Sequence, residues 1–208
     1  KLLDEKPGIQ TAGVLSAQVP LALDWSGSER LWRTRLFPAL RALPGVQDVA
    51  ISNSVPFSLG RTEHSRFASR FGIEGQSYEA GHYPVAQMRW VTPEYFRVLG
   101  IPLKSGRLLT QADGNAPVSL INESLARKFL PGQDPTRRKL VLGVVDPQQT
   151  YISIAGVVGD VRELGLDAEA PPTIYSITTS PNSSVLLKTS GDPMALATAV
   201  RQAIHNVD

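Results

Sequence analysis

The side chains able to do chemistry are few. There are three histidines, His64, His82 and His205, and no cysteine. Glu63-His64 and Glu79 with His82 set a nitrogen donor beside an oxygen donor, the mix that first-row metals accept. No H-x-H or H-E-x-x-H pattern supports either pair, and both fall in polar loops. His205 sits near the end of a terminal helical stripe, where a cation favours the helix dipole. A Ser–His–acid triad would need a nucleophile elbow, and no G-x-S-x-G occurs. Gly156-Val-Val-Gly159-Asp160 follows an apolar strand and invites a phosphate-loop reading. It lacks a third glycine at the right offset and any Gly-Lys-Ser/Thr, so it reads as a strand with a glycine-permitted bend or bulge. Asp160 with Glu163, and Asp167 with Glu169, read as surface-like neighbours in a turn rather than an acid–base pair. Asn122-Glu-Ser124 and Asn182-Ser-Ser184 fit the glycosylation acceptor by pattern only. The expectation is no catalytic residue, no metal and no cofactor.

Composition narrows the classes further. The 208 residues carry 21 Lys+Arg against 19 Asp+Glu. The pI of about 9.0 is thus a small excess on a lightly charged chain. Nucleic-acid binders cluster their basic residues, and the densest run here is Arg137-Arg138-Lys139, so no nucleic-acid partner is expected. Zero cysteines excludes disulfides, thiolate metal sites and cysteine nucleophiles. No stretch approaches the roughly 18 apolar residues of a membrane span. The sequence starts at Lys1-Leu2-Leu3 without Met and ends at Asn206-Val207-Asp208 within a helical pattern, and reads as an excised portion of a larger protein.

The elements that must position these residues fall into two textures. Residues 11–19 read as a strand. Ser26 and Glu29 have capping-box spacing. Leu31, Trp32, Leu36, Phe37, Leu40 and Leu43 mark one face of a helix over about 29–43, stopped by Pro44-Gly45. Residues 46–53 form the next strand, completing strand–helix–strand. From about 56 the texture changes. A polar loop, 56–65, is followed by strands at 66–74, 83–92, 117–122, 139–145, 151–158 and 173–178. Two short helices are expected there, one capped by Thr92 with Pro93 at its first position, the other over Glu123–Leu130. Strand 184–189 and a helix over 193–207 return to the opening texture as half of a second strand–helix–strand unit. Its closing strand would lie beyond residue 208. The two halves make an α+β, split ferredoxin-like sandwich around a strand-rich insertion. An unpaired edge beside strand 184–189 is then expected, and full pairing there would show the split-sandwich reading to be wrong. Phe57 and Leu59 stand in the polar loop, where they offer an apolar partner contact or pack beneath the crossover.

Several segments in order resemble one family. Val91-Thr-Pro-Glu-Tyr-Phe-Arg-Val-Leu-Gly-Ile-Pro-Leu-Lys-Ser-Gly-Arg107 is similar to the V-[ST]-P-x-Y-F-x-x-L-G-I-P-L-x-x-G-R block of the MacB-like periplasmic core domain, found in ABC transporter permeases of the MacB/FtsX type. Residues 118–132, VSLINESLARKFLPG, resemble its N-E-x-x-A-[RK]-[RK]-[FY] block with a closing P-G. Gln133 to Leu140 resembles E-D-P-[IL]-G-[RK]-R-[LI], with Thr136-Arg137 as a departure. Ile154-Ala-Gly-Val-Val-Gly-Asp-Val-Arg162 resembles V-V-G-V-V-G-D-[VT]-[RK]. Ala42-Leu-Pro-Gly-Val46 and Asp192-Pro193 with Val200-Arg201 match the flanking units.

The resemblance implies a domain at the cell inner membrane, exposed on the extracytoplasmic, periplasmic side. It implies residues 1–8 as a lead-in from a preceding transmembrane helix, 9–55 with 179–208 as a Porter-like subdomain, and 56–178 as a Sabre-like insertion. The domain would be no enzyme, since ATP hydrolysis belongs to a separate cytoplasmic subunit. It would pass ATP-driven helix motion outward as a lever, with residues 1–8 and 208 at the membrane face. Its partners would be a second permease copy or a second core domain of the same chain, the ATPase through the membrane part, and a periplasmic adaptor. The competing classes are a stand-alone ligand- or peptide-binding module and an exported hydrolase.

Overall fold

A computed structural model describes residues 7–20, 32–56, 67–79, 81–143, 150–163, 165, 168–177 and 182–206. Along the chain run β1 (Val14–Pro20), a π-type turn (Trp32–Leu36) leading into α1 (Phe37–Arg41), β2 (Val46–Ser52), β3 (Ala68–Ile73) and β4 (Val85–Val91). Then come α2 (Tyr95–Val98), β5 (Leu103–Gly106), β6 (Val118–Asn122), α3 (Glu123–Phe129), β7 (Lys139–Leu142) and β8 (Ile152–Val158). β9 (Thr173–Ile177), β10 (Asn182–Thr189) and a 3-10 turn (Pro193–Leu196) leading into α4 (Ala197–His205) complete the order. The architecture is α+β and strand-rich. It divides into two units. The first holds Ile9–Val55, Trp90–Gly100 and Thr178–Asp208, and the second holds Lys1–Gly8, Pro56–Arg89 and Ile101–Ile177. Trp90–Gly100 lies within the 56–178 stretch expected as an insertion, yet groups with the first unit. Ser26, Glu29, Phe57, Leu59, Glu63, His64 and Asp167 lie outside the described residues.

In the first unit, β10 lies between β1 and β2 and is antiparallel to both. β1 and β2 therefore run parallel, joined by a strand–helix–strand crossover that skips one strand position. Trp32, Leu36 and Leu40 recur every four residues, so their side chains share one helical face. They are fully buried against Val19, Val49, Ile51, Val185 and Leu187, and Val200 of α4 closes the same core. Both helices thus cover one face of the three strands. Each large apolar side chain so buried contributes about 1.5–3 kcal/mol. On β1, half-buried Leu15 and Ala17 and buried Val19 alternate with exposed Ser16 and Gln18.

Two expectations are corrected here. Strand 184–189 has no free edge: it pairs with β1 from Val14↔Lys188 to Pro20↔Asn182 and with β2 from Ser184↔Ser52 to Thr189↔Val46. A crossover that skips a position leaves a slot between β1 and β2, and β10 fills it. Among the described residues the open edge belongs to β1, which pairs with β10 alone. Thr92 is no side-chain N-cap either. Its hydroxyl accepts the Ile51 N–H at 3.1 Å, so α2 begins without it. Tyr95, Phe96 and Leu99 are buried as their spacing predicts, and Gly100 ends the turn at φ 64.

In the second unit the strand order runs β4, β3, β7, β8, β6, β9, with β5 on β8. β6 and β8 run parallel, whereas β3–β4, β3–β7, β7–β8, β5–β8 and β6–β9 are antiparallel. The core gathers Phe71, Ile73, Met88, Ile121, Leu125 and Ile154. Asn122 fixes the β6–α3 junction: its Oδ1 accepts from Leu125 N at 3.1 Å and Thr173 N at 2.9 Å, and its Nδ2 donates to the Pro171 carbonyl. A side chain so engaged is the N-cap of α3.

Candidate functional site

Among the described residues, those able to do chemistry do not converge. His82 Nδ1 stands 3.6 Å from Glu79 Oε2, with side chains 77% and 89% exposed, so the pair is solvated. His205 is exposed at the end of α4. Among the described residues no group of three or more His, Asp and Glu is placed to hold a metal.

The Gly156–Asp160 segment serves packing. Gly156 lies in β8 where a Cβ would fall 2.6 Å from the Ser105 carbonyl oxygen and 2.8 Å from that of Arg107. The glycine lets the β5 backbone approach β8, beside register shifts in both the β5 and β6 pairings. Asp160 does not leave an anion site. Its Oδ1 accepts the Ser124 N–H at 2.7 Å and its Oδ2 accepts from Arg127 at 3.3 Å, so the first turn of α3 already has its anion.

Glu163 is equally engaged, and it is buried, not the surface neighbour expected, because it must meet a buried guanidinium. Arg89 Nε donates to Glu163 Oε1 at 2.9 Å, Arg89 Nη2 donates to Oε2, and Arg89 Nη1 donates to the Met88 carbonyl at 3.0 Å. The sequence reading missed this pair. A signal was present, because an arginine between Met88 and Val91 in an apolar strand needs an acid if it faces inward.

The remaining charged groups are clamps. Arg107 donates twice to Asp113, at 2.8 Å each. Asp113 also accepts from the Thr110 N–H at 2.7 Å and hydroxyl at 2.9 Å. These bonds hold the Asp113 carboxyl well below the usual carboxylate range, the guanidinium first. The Thr136 hydroxyl and N–H lower Asp134 in the same way. Hydrogen bonding to Asp48 raises Arg97. Each of these shifts is explained by a turn or a surface ion pair.

Two concave features lie in the first unit: one of about 530 Å3 between Leu43 and Ala203, and a groove of about 350 Å3 between β1 and α4. Leu15, Ala17, Met194, Ala197 and Ile204 give it an apolar lining, with Arg201 beside them. Met194 is 68% exposed, whereas Leu15, Ala17, Ala197 and Ile204 are half-buried.

With that geometry in hand, the sequence matches the family described as the MacB-like periplasmic core domain over residues 12–206. The chain belongs to that family. Its members are the periplasmic core domains of MacB-like ABC transporter permeases. No curated protein sequence matches the chain. The fold is similar to the periplasmic region of MacB from Actinobacillus actinomycetemcomitans at TM-score 0.56 and 18% identity, covering 99% of this chain and 86% of that one. It is also similar to the extracellular domain of the ABC-type transporter YknZ from Gram-positive bacteria at TM-score 0.56 and 13% identity, covering 92% and 94%. In this core domain the blocks carrying the resemblance lie on defined elements. Residues 91–107 span the end of β4, α2 and β5, residues 118–132 form β6 and α3, and residues 154–162 hold β8 and the Asp160 cap. No helix among the described residues is long and apolar enough to cross a membrane.

Proposed function

We propose that this chain is the non-catalytic extracytoplasmic domain of an inner-membrane ABC permease, and that it transmits ATP-driven motion of membrane helices to partners outside. The family match over residues 12–206 carries the reading. The engagement of Asp113, Asp160 and Glu163 in turns, caps and a buried pair supports a structural use of these acids. The first unit, three strands covered on one face by two helices, is read as the Porter-like subdomain. The pairing of strand 184–189 on both sides rules out the split sandwich with that strand at its edge, and the split ferredoxin-like reading is kept only with β1 as the edge strand. The second is read as the Sabre-like one. Residues 1–8 lead in from a preceding transmembrane helix. The partners are a second permease copy or second core domain, the cytoplasmic ATPase through the membrane part, and a periplasmic adaptor. Phe57 and Leu59 supply an apolar contact to one of them.

A well-packed unit moves as a rigid body, so tilting helices would swing it as a lever. Spin labels at Ser16 and Gln202 in the full permease test this. Distances between copies should change between nucleotide-free and ATP-trapped states, while the distance within one unit stays fixed. Internal change without movement between copies would end the lever. Phe57→Asp and Leu59→Asp should weaken assembly with folding retained. Unchanged assembly, or loss of folding, would remove the contact.

A further inference from the structure

We propose that the Asp113–Gly114 peptide bond is a spontaneous modification site, one that converts through a cyclic imide to an isoaspartyl linkage, and that the Arg107 guanidinium keeps it closed. The inference is independent of the transport reading. It concerns the connection between β5 and β6 in the second unit.

Chemistry singles out this bond. A backbone nitrogen can attack the side-chain carboxyl carbon of an aspartate just before it, and glycine, with no Cβ, leaves that approach unhindered. Asp113-Gly114 is the one Asp-Gly pair in the chain, and there is no Asn-Gly. A bond forms between Gly114 N and Asp113 Cγ, and one carboxyl oxygen leaves as water with the carboxyl and amide protons. Water then adds back to the ring. Breaking the bond from nitrogen to Cγ restores aspartate. Breaking the bond from nitrogen to the main-chain carbonyl carbon leaves the chain running through Cβ and Cγ. Nothing is oxidised or reduced, and the mass is unchanged. Neither space nor conformation calls for glycine at 114. A Cβ there would meet Ile177 Cγ2 at 3.7 Å and Gln111 Nε2 at 3.9 Å, ordinary contacts, and φ lies outside the left-handed range.

Four hydrogen bonds hold the reacting carboxyl off that path. Arg107, directly after β5, donates from Nη2 to Oδ1 and from Nη1 to Oδ2, at 2.8 Å each. The Thr110 N–H and hydroxyl donate to Oδ2 at 2.7 and 2.9 Å. All four come from residues that precede Asp113, whereas the attacking nitrogen follows it. The 3-10 turn Gln111–Asn115 fixes the backbone as well. The Asp113 N–H donates to the Thr110 carbonyl at 3.0 Å, and the Asp113 carbonyl accepts from the Ala116 N–H at 3.1 Å. Charge-assisted bonds favour the ionised carboxylate, and only the protonated acid loses water readily. Gly114 is exposed, so solvent reaches the bond. After ring opening the long way, the free carboxylate sits on Cα and no longer meets Arg107 and Thr110 together. The change is one-way, a timer on the β5–β6 connection.

Incubation of the full permease in heavy-oxygen water tests this. Each passage through the ring places one heavy oxygen at residue 113, so uptake counts openings whichever product forms. Mass spectrometry of the tryptic peptide Leu108–Arg127, digested in ordinary water, locates the label by its fragments. A synthetic peptide of the same residues gives the unprotected rate. The permease should take up label at least about tenfold more slowly than the peptide, since each unit by which a carboxyl is lowered leaves about tenfold less of the acid that reacts. Arg107→Met should recover most of that difference, and isoaspartate, which endoproteinase Asp-N does not cut, should accumulate at 113. Adding Gly114→Ala to Arg107→Met should slow uptake again. Equal uptake by permease and peptide would overturn the proposal, and so would Arg107→Met at the slow rate of the unaltered permease. Amide exchange across β6 reports whether Arg107→Met keeps the unit folded. If it does not, Thr110→Val, which removes one of the four bonds, is read in its place. Uptake above that of the unaltered permease is then the expected result, and unchanged uptake overturns the proposal.

Discussion

The Arg89 guanidinium and the Glu163 carboxylate meet in a two-pronged pair inside the second unit, with side chains 0% and 2% exposed. They are 74 positions apart in the chain. The pair ties β4 to the segment just after β8. Two charges removed from water lose several kcal/mol of hydration each, and only close, well-aligned partners offset that loss. The pair is therefore a strong constraint on which segments meet, whatever its net contribution to stability.

Glu163→Gln should destabilise the domain by about 3–5 kcal/mol, because the guanidinium keeps its burial and loses its counter-charge. Arg89→Met combined with Glu163→Leu should recover most of that. Urea denaturation followed by circular dichroism gives both numbers. A loss below about 1 kcal/mol for Glu163→Gln would mean that the other acceptors around Arg89 suffice.

Gly156→Ala tests close approach rather than backbone freedom. The added methyl would lie 2.6 Å from the Ser105 carbonyl oxygen, and backbone cannot rotate away as a side chain can. Overpacking of this kind costs about 1–3 kcal/mol. Gly159→Ala meets the ring of Pro102 at 3.0 Å and the Lys104 side chain at 3.7 Å, with no backbone atom among them, and should cost less. Thermal melts of the two variants should rank in that order.

Asp160→Ala should lower stability by about 1 kcal/mol by leaving the Ser124 N–H without its acceptor. Inorganic phosphate should not raise the melting temperature of the unaltered protein. Stabilisation by phosphate that Asp160→Ala enhances would identify the start of α3 as an anion site after all.

Asp113 gives a pH signature. Its folded carboxyl titrates below its unfolded range, so its contribution is complete above pH about 4 and is lost as pH falls through the lowered folded value. Asp113→Asn should cost about 1 kcal/mol at neutral pH, the scale of a lost cap. The gap between variant and parent should close as the solution is acidified below pH 4. A gap constant with pH would assign the effect to packing.

Much of this fold is written locally. The four-residue recurrence of Trp32, Leu36 and Leu40, and the alternation of Leu15, Ala17 and Val19, report burial directly. Asn122 fits a glycosylation pattern in the sequence, and its role as the cap of α3 emerges only from its bonds to Leu125 and Thr173. The hidden features depend on long-range pairing. β5 has four exposed residues, so no periodicity marks it; its cue is the glycine across from it at 156. Thr92 has an ordinary capping sequence, yet its hydroxyl is taken by Ile51 on another strand. The free edge was expected on strand 184–189 because order along the chain tells which segment comes next and not which strand lies alongside. Among the candidate site residues, the acids at 160 and 163 were visible as polar neighbours. Their partners, Ser124 and Arg89, are visible only in three dimensions.

The place of β10 between β1 and β2 has a consequence for how the chain is made. Lys188 reaches the Ala12 carbonyl across 176 positions, and every pair along β1 and β10 spans a comparable distance. When β1 and β2 emerge during synthesis, the strand that joins them does not yet exist. Closing such large loops makes folding slow, and it cannot begin to reward the chain until nearly all of it is present. The first unit must therefore wait, with apolar edges open, while the second can already condense. A folding factor acting on the exported chain would have its longest hold on the segment from Val14 to Ser52.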